Sequence, residues 1–404
     1  MKIGIIKEGK TPPDSRVPMT PAQCQQVLQQ YPVELIVAPS PGRCFTDQEY
    51  QEAKVPLSDD MASCDVLMGV KEVPIDQLIP HKTYFFFSHT IKEQPYNRAL
   101  LQAVLQHHIR LIDYEVLTDE LGRRLIAFGR FAGMVGAHNG LLTYGRRTGH
   151  FNLKRMKDCR DYAEATRLYQ SLQLPPMKIV LTGTGRVANG AAQVLKDMGI
   201  RQVPPAQYLQ EEFQEAVFTQ LDCEHYAEHK EGQAYSQEEF FAHPQRYRSS
   251  FAPYTKVSDI MINGIYWDNA APAFFTREEA QADDFRIQVI ADVTCDIAPV
   301  SSIPSTLRAS TIADPIFGYA PASGTEVAPH SPNSIDMMTI DNLPNELPRD
   351  ASKAFGEQFM EHILEELLQA DSKVIERATV AVNGLLGPHF GYLAGYVAGG
   401  QDEA

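Results

Sequence analysis

Apolar residues in this chain gather in short runs separated by polar turns. Lys2–Ile6 is the first and reads as a buried strand. Val33–Val37, Val66–Val70, Tyr84–Ser88 and Arg110–Ile112 repeat the pattern. Helical segments lie between them. Thr20-Pro21 opens one, with Thr20 as cap and Pro21 in the first turn, and Tyr96–Leu105 forms another. Strands that alternate with helices predict a mostly parallel sheet with helices on its faces.

Arg130–Arg147, rich in glycine, reads as one long helix that crosses from a first domain into a second. Asp158–Leu172 has a helical period and is broken by Leu174-Pro175-Pro176. Lys178–Leu181 is a strand. A polar stretch, Gln210–Ser250, precedes further strands at Asp259–Ile265 and Ile287–Ala291 and a strand-like piece at Ser310–Ala313. The tail reads as helices, from about Asp350 to Ala370 and from Lys373 to Leu386. The expected fold is α/β in two domains, since 404 residues exceed one ordinary core. Residues 1–135 with 325–404 form a substrate domain, and residues 136–324 a dinucleotide-binding domain.

The clearest local motif follows Lys178–Leu181. Gly183-Thr184-Gly185-Arg186-Val187-Ala188 has the form G-x-G-x-x-A and sits between a strand and a helix, the context that a dinucleotide fingerprint requires. Gly183 permits the tight turn, Gly185 lets the backbone approach a pyrophosphate, and Ala188 allows close helix–strand packing. Free amides at the helix start, around Arg186 and Val187, face the phosphates. The acid usually found about 20 residues after the first glycine is missing. That region, Arg201–Tyr208, offers only Arg201, either a partner for a 2′-phosphate or a surface residue. NAD and NADP both stay open as cofactor.

In a parallel sheet, ligands bind at the carboxyl ends of the strands. Here those ends carry Lys7, Glu8 and the loop Asp14-Ser15-Arg16, then Lys71 and Glu72, then His89, then Asp113 and Glu115. Each alone is an ordinary solvated loop residue; their convergence on one edge points to a site. In the second half, Tyr266-Trp267 and Asp292–Asp296 hold the equivalent positions. His225 and His229 have the wrong spacing and partners for a closed metal site, and no metal is expected.

The net charge of −15 excludes broad nucleic-acid or acidic-membrane binding, which needs a positive surface. Six scattered cysteines form no CxxC pair, the first residues hold no apolar signal core, and no apolar run is long enough to span a membrane. A reducing cytoplasm is the expected location.

Several phrases together resemble one family. They are Ser15–Pro21 (SRVPMTP), Gly69–Pro74 (GVKEVP), Phe86–Lys92 (FFSHTIK), Leu111–Glu115 (LIDYE), Ile262–Trp267 (INGIYW) and Ile340–Pro344 (IDNLP) with Leu347-Pro348. The sequence resembles the lysine-forming saccharopine dehydrogenases and lysine–ketoglutarate reductases, within the wider alanine dehydrogenase family. The resemblance implies two Rossmann-like, doubly wound domains around a cleft and an oxidoreductase of lysine metabolism. That enzyme interconverts saccharopine with lysine and 2-oxoglutarate, using NAD or NADP and small amino-acid and oxoacid substrates. It also implies that Lys71 and His89 act in acid–base chemistry and that Arg16 binds a substrate carboxylate. Glu72 and Glu115 would be acidic neighbours of the pair, Asp296 would lie near the nicotinamide ribose, and Arg130 would hold a further carboxylate. Opposed charges around Lys71 leave the sign of its pKa shift open. The alternatives are another amino-acid dehydrogenase, such as an alanine dehydrogenase, and a non-catalytic dinucleotide-binding relative.

Overall fold

The computed structural model describes residues 1–399. The chain divides into two compact units. One is Met1–Phe128 with the chain from Pro348 onward; the other is Gly129–Leu347.

In the first unit, β1 (Lys2–Ile5), β2 (Glu34–Val37), β3 (Val66–Met68), β4 (Thr83–Phe86) and β5 (Arg110–Asp113) pair in parallel in the order β5-β4-β3-β1-β2. Both faces of this sheet are covered, which is why its strands read as unbroken apolar runs. Ile3, Met68, Phe85 and Ile112 face one core with Phe355 and Phe359 from the helix Pro348–His362. Leu67, Tyr84, Phe86 and Leu111 face the other. The register Ile5↔Met68, Met68↔Phe85 and Phe85↔Ile112 keeps the carboxyl ends level. Thr20 caps the helix Pro21–Gln30 in a capping box with Gln23.

The tail corrects the expectation of a last helix over Lys373–Leu386. Helix stops at Ala378, and Thr379–Val382 and Leu385–Leu386 form a hairpin whose first strand adds antiparallel to β5. Asn383 and Gly384 make its two-residue turn with φ of 52° and 80°. A Cβ on Gly384 would stand 2.9 Å from the His108 ring. Gly384→Val is therefore expected to cost about 1–3 kcal/mol, from the left-handed backbone and the clash together. Urea denaturation measures it, and an unchanged midpoint would show that the hairpin adds nothing to this unit's stability.

In the second unit, β6 (Met177–Thr182), β7 (Arg201–Gln202) and β8 (Ala216–Leu221) lead to a small antiparallel pair, β9 (Ala227–His229) with β10 (Tyr247–Ser249). The main sheet continues with β11 (Ile260–Asn263), β12 (Val289–Asp292), β13 (Ile316–Ala320), β14 (Thr325–Val327) and β15 (Ile335–Met338). Its order is β14-β13-β15-β12-β11-β6-β8-β7. The expected boundary at 324/325 thus lies at 347/348, because β15 pairs with both β12 and β13 and keeps residues up to Leu347 in this unit. The expected boundary at 135/136 lies at 128/129. The helix Gly129–Thr148 packs so tightly on the helix Arg186–Asp197 that a Cβ on Gly133 would fall on the Val187 carbonyl oxygen. Ser310–Ala313 makes a single bridge, Ser310↔Ile340, and no strand. No described helix is long and apolar enough to cross a membrane.

Candidate active site

Because the carboxyl ends of β1, β3, β4 and β5 are level, the loops after them present side chains at one edge of the first unit. Glu8, after β1, takes the backbone N–H groups of Val70 and Lys71 at 2.6 and 2.9 Å, which fixes the loop that carries Lys71. Burial raises the Glu8 carboxyl to about 7 against the pull of those two donors. Glu72 Oε1 lies 2.6 Å from His89 Nδ1, and Glu72 Oε2 accepts from Lys10 Nζ at 2.7 Å. Burial works to raise Glu72, but the bond and charge of His89, and then Lys10, outweigh it and hold the carboxyl at about 2.

His89 has a left-handed backbone, φ 54°, which is uncommon outside glycine. Its turn is clamped from β5: Asp113 Oδ2 accepts from the Ser88 N–H at 3.0 Å and from the Ser88 hydroxyl at 2.5 Å. Burial raises the Asp113 carboxyl in spite of these donors. The His89 ring stacks on Phe87.

Lys71 is half-buried in this cluster. Its pKa is lowered, first by burial and then by Arg16 and Lys10, with Asp14 and Glu72 opposing. The sign that sequence left open is therefore downward, toward a neutral amine. Lys71, Glu72, His89 and Arg16 are brought together.

Arg16 is placed differently from the expectation. It is 2% exposed, it gives Nε and one terminal nitrogen to Asp14 at 3.0 and 2.6 Å, and it stacks 4.3 Å over Phe128. The fork expected to hold a substrate carboxylate is engaged by Asp14. Glu115 pairs with Lys92 at 3.2 Å and Arg124 at 3.6 Å rather than with Lys71 or His89. Arg130 belongs to the second unit, where Gln193 Oε1 takes its Nε and a terminal nitrogen. Lys10, which sequence reasoning passed over, is the cation on Glu72; no motif marks it.

The second unit carries the fingerprint at the carboxyl end of β6. The chain leaves β6 toward β7 and β8 on one side and returns to β11 on the other, so the fingerprint lies at the switch point of the sheet. Gly183 has φ 100°, and a Cβ there would lie 2.7 Å from the Gly264 carbonyl oxygen. Gly185 is different: a Cβ there would meet nothing within 4 Å. The fold thus demands glycine at Gly183, whereas at Gly185 it leaves an open cradle before the helix Arg186–Asp197. Ala188, in the first turn of that helix, is fully buried. Gln220 Nε2 steadies the turn by donating to the Gly183 carbonyl at 3.0 Å. These features fit a dinucleotide pyrophosphate, with Gly183, Gly185, Arg186 and Val187 at the turn and helix start.

Asp292 is sequestered by Asn263, Thr306 and the Cys295 N–H, and it acts as a buried staple. Asp296 is half-buried and makes no hydrogen bond among the described residues; burial and then Asp292 raise its carboxyl.

The acid that sequence reasoning found missing is present farther along. The strand beside β6 is β8, and Asp222 follows its last residue. Leu221, the residue before it, accepts the Gly183 N–H at 2.7 Å. β7 and the helix Pro205–Gln210 are interposed, which moves the acid well beyond the usual spacing. Arg201 pairs with Glu215 and lies beside Val217, near the opposite end of β8, away from the fingerprint.

Residues 4–135 match the family described as alanine dehydrogenase/PNT, N-terminal domain. Over 94% of its length the chain is 30% identical to alpha-aminoadipic semialdehyde synthase, mitochondrial, from Bos taurus, of which it covers 46%. The chain thus spans about half the length of the first curated relatives it matches. Saccharopine dehydrogenase [NAD(+), L-lysine-forming] from Emericella nidulans is 27% identical, with 93% of this chain and 95% of that protein aligned. Among solved structures, an L-alanine dehydrogenase superposes with a TM-score of 0.67 at 16% identity, covering 97% of this chain and 99% of that one. A transhydrogenase from Sinorhizobium meliloti gives 0.58 at 14% identity, over 96% and 100%. These two likenesses establish the fold.

Proposed function

From its similarity to saccharopine dehydrogenases and aminoadipic semialdehyde synthases, we propose that this chain is an NAD(P)-dependent oxidoreductase of the wider alanine dehydrogenase family acting on a secondary amine. The reaction is saccharopine plus NAD(P)+ plus water to lysine plus 2-oxoglutarate plus NAD(P)H and a proton, and its reverse. The observation that carries the reading is the Lys71, Glu72 and His89 cluster on the level ends of β3 and β4.

In the reductive direction, an amine attacks the 2-oxoglutarate carbonyl, water leaves the carbinolamine, and the resulting imine is reduced. Attack needs a base, and loss of water needs an acid. Lys71, with its lowered pKa, takes the proton from the attacking ammonium. His89, held through Nδ1 by Glu72, presents Nε2 to the carbinolamine oxygen. Hydride comes from the nicotinamide dinucleotide when it is bound. Gly183, Gly185, Arg186 and Val187 would hold its phosphates, and Asp296 would meet the nicotinamide ribose. Arg16 keeps positive charge beside Lys71 and attracts the oxoacid, whose carboxylate competes with Asp14 for the guanidinium. Glu115, with Lys92 and Arg124, borders the site. Cys24, Cys44, Cys64, Cys159, Cys223 and Cys295 are all free thiols, which accords with a reducing cytoplasm.

The test is loss of NADH or NADPH absorbance with lysine plus 2-oxoglutarate, set against ammonia plus pyruvate. Turnover with the second pair alone would replace this reading with an alanine dehydrogenase. The pH profile offers a finer check. Lys10 lowers Lys71 and Glu72 raises it. Lys10→Met should therefore move the limb set by Lys71 to higher pH, and Glu72→Gln should move it lower. Shifts of the same sign in both variants would remove Lys71 as the group that sets this limb.

A further inference from the structure

The first unit contains a cavity of about 180 Å³ that is lined by none of Lys71, Glu72 and His89. The chain leaves β1 for β2 on one side and returns to β3 on the other, so the end of β1 is the switch point of this sheet. Open α/β sheets bind ligands at such points. Lys7 joins the cavity wall just after β1, Ala38 just after β2, and Val73 and Gln77 in the loop after β3. The cavity and the Lys71 cluster stand back to back. Met61, Val73 and Tyr84 belong to the core on one face of the sheet. Val70, Phe87 and Tyr114, in the segments that carry Lys71, His89 and Glu115, belong to the core on the other.

The lining is mixed. Met61, Val73 and Ile79 supply apolar surface, while Lys7, Asp59 and Gln77 are exposed. Lys7 and Asp59 form no ion pair with each other or with any other described residue, and no described group bonds the Gln77 amide. The neighbouring charges are in use: Asp60 caps Ser63, and Lys82 donates to the Ala62 carbonyl. Asp59 is held in place from β2, because Leu57 bridges Val37 and the Ser58 N–H donates to the Val37 carbonyl at 3.0 Å. An unpaired cation and an unpaired anion on one small, partly apolar cavity complement a zwitterion with an apolar body. The volume falls below the roughly 300–1,000 Å³ of sites for drug-sized ligands and suits a free amino acid.

We propose that this cavity is a second amino-acid site, which takes a free α-amino acid with an aliphatic side chain and acts on the catalytic loop from behind. The ligand's carboxylate meets Lys7 and the Gln77 amide, its ammonium meets Asp59, and its side chain meets Met61, Val73 and Ile79. The loop after β3 couples the two sites within the unit. Val73 follows Glu72, which holds His89 and Lys10. Gly9, beside Lys10, lies against the far end of the loop: a Cβ there would stand 2.6 Å from Gln77 Oε1 and 2.8 Å from the Pro74 ring. A ligand on Lys7 and Gln77 therefore ties the β1 loop to the β3 loop and keeps Lys10 on Glu72. The coupling rests on the function proposed above; the binding does not.

Calorimetric titration of the full chain uses leucine and two analogues that each lack one charge: 4-methylpentanoate, without the ammonium, and 3-methylbutylamine, without the carboxylate. Leucine should bind with a Kd on the order of 1 mM or tighter. Each analogue should bind at least about tenfold more weakly, the worth of a charge-assisted hydrogen bond. Asp59→Asn should then bind leucine and 4-methylpentanoate nearly alike, and Lys7→Met should bind leucine and 3-methylbutylamine nearly alike. Leucine that merely occupied the Lys71 site would bind both variants as it binds the unsubstituted protein. That result would overturn the site, as would the absence of leucine binding. Saturating leucine should raise turnover with lysine and 2-oxoglutarate at least about twofold. Asp59→Asn, with its basal turnover unchanged, should need at least about tenfold more leucine for the same rise. Binding without any rise would overturn the coupling. Leucine binding intact in a protein with no turnover, with or without leucine, would instead sink the oxidoreductase reading and leave the amino-acid site standing.

Discussion

Gly185→Val should abolish dinucleotide binding in a protein that still folds. The two fingerprint glycines are needed for different reasons, and the geometry separates them. Gly183 has φ 100° and a backbone oxygen 2.7 Å from where a Cβ would lie. Any side chain there strains the turn itself, by about 1–3 kcal/mol or more. Gly185 has φ −81° and ψ −168°, an extended backbone open to any residue, and its Cβ position meets nothing. Valine there costs the folded protein only the loss of a tolerable helix cap, about 1 kcal/mol. Its methyl groups would instead fill the space before the helix where a pyrophosphate must approach the backbone amides. Displacing the phosphates by an ångström or more should weaken binding by at least about 100-fold. The measurement is calorimetric titration with NADH and NADPH beside a thermal melt. Unchanged affinity in a folded Gly185→Val protein would dismiss this turn as the phosphate site. Gly183→Val is the counterpart, and there the melting temperature should fall before any binding is lost.

What could be read from sequence, and what could not, follows one physical division. Local demands were legible. The fingerprint shows because its residues contact one another within a few positions, and β3 and β4 show because strands buried on both faces must be apolar throughout. Non-local demands were not legible. Asp222 escaped because β8, the neighbour of β6 in space, is not its successor in sequence. The engagement of Arg16 by Asp14 two residues away was equally hidden, since the sequence Asp-Ser-Arg suits an open loop as well as a buried ion pair. The boundary that assigns Arg130 to the second unit is set by close packing, at Gly133 and Gly190 on facing helices, and composition does not mark it. The C-terminal hairpin did carry a local signal, Asn383-Gly384, but the preceding residues are helical and share apolar positions with it. The level carboxyl ends that gather Lys71 and His89 depend on strand register, which alternation alone does not report.

Lys71→Met and His89→Gln should each lower turnover by roughly 10²–10⁴-fold, the usual worth of a positioned acid or base. Methionine keeps the length and apolar stem of Lys71, and the loop remains fixed because Glu8 binds the backbone N–H groups of residues 70 and 71, not the amine. What is lost is a nitrogen whose pKa is lowered, chiefly by burial. His89 needs more care, since its φ of 54° strains most side chains. Asparagine tolerates that backbone best, so His89→Asn accompanies His89→Gln and separates strain from chemistry. If His89 carries a proton in the reaction, both variants lose turnover alike, while strain alone would spare asparagine. Dinucleotide affinity should stay near that of the unsubstituted protein in every case, because the fingerprint belongs to the other unit. The double variant should lose less than the product of the single losses, as groups that act together do. Steady-state rates at saturating lysine and 2-oxoglutarate decide the matter. Normal turnover in Lys71→Met would leave the ion-paired cluster of Glu72, Lys10 and His89 with a purely structural purpose. A loss confined to Lys71→Met, with both His89 variants active, would assign base and acid to one amine and reduce Glu72 to a counter-charge.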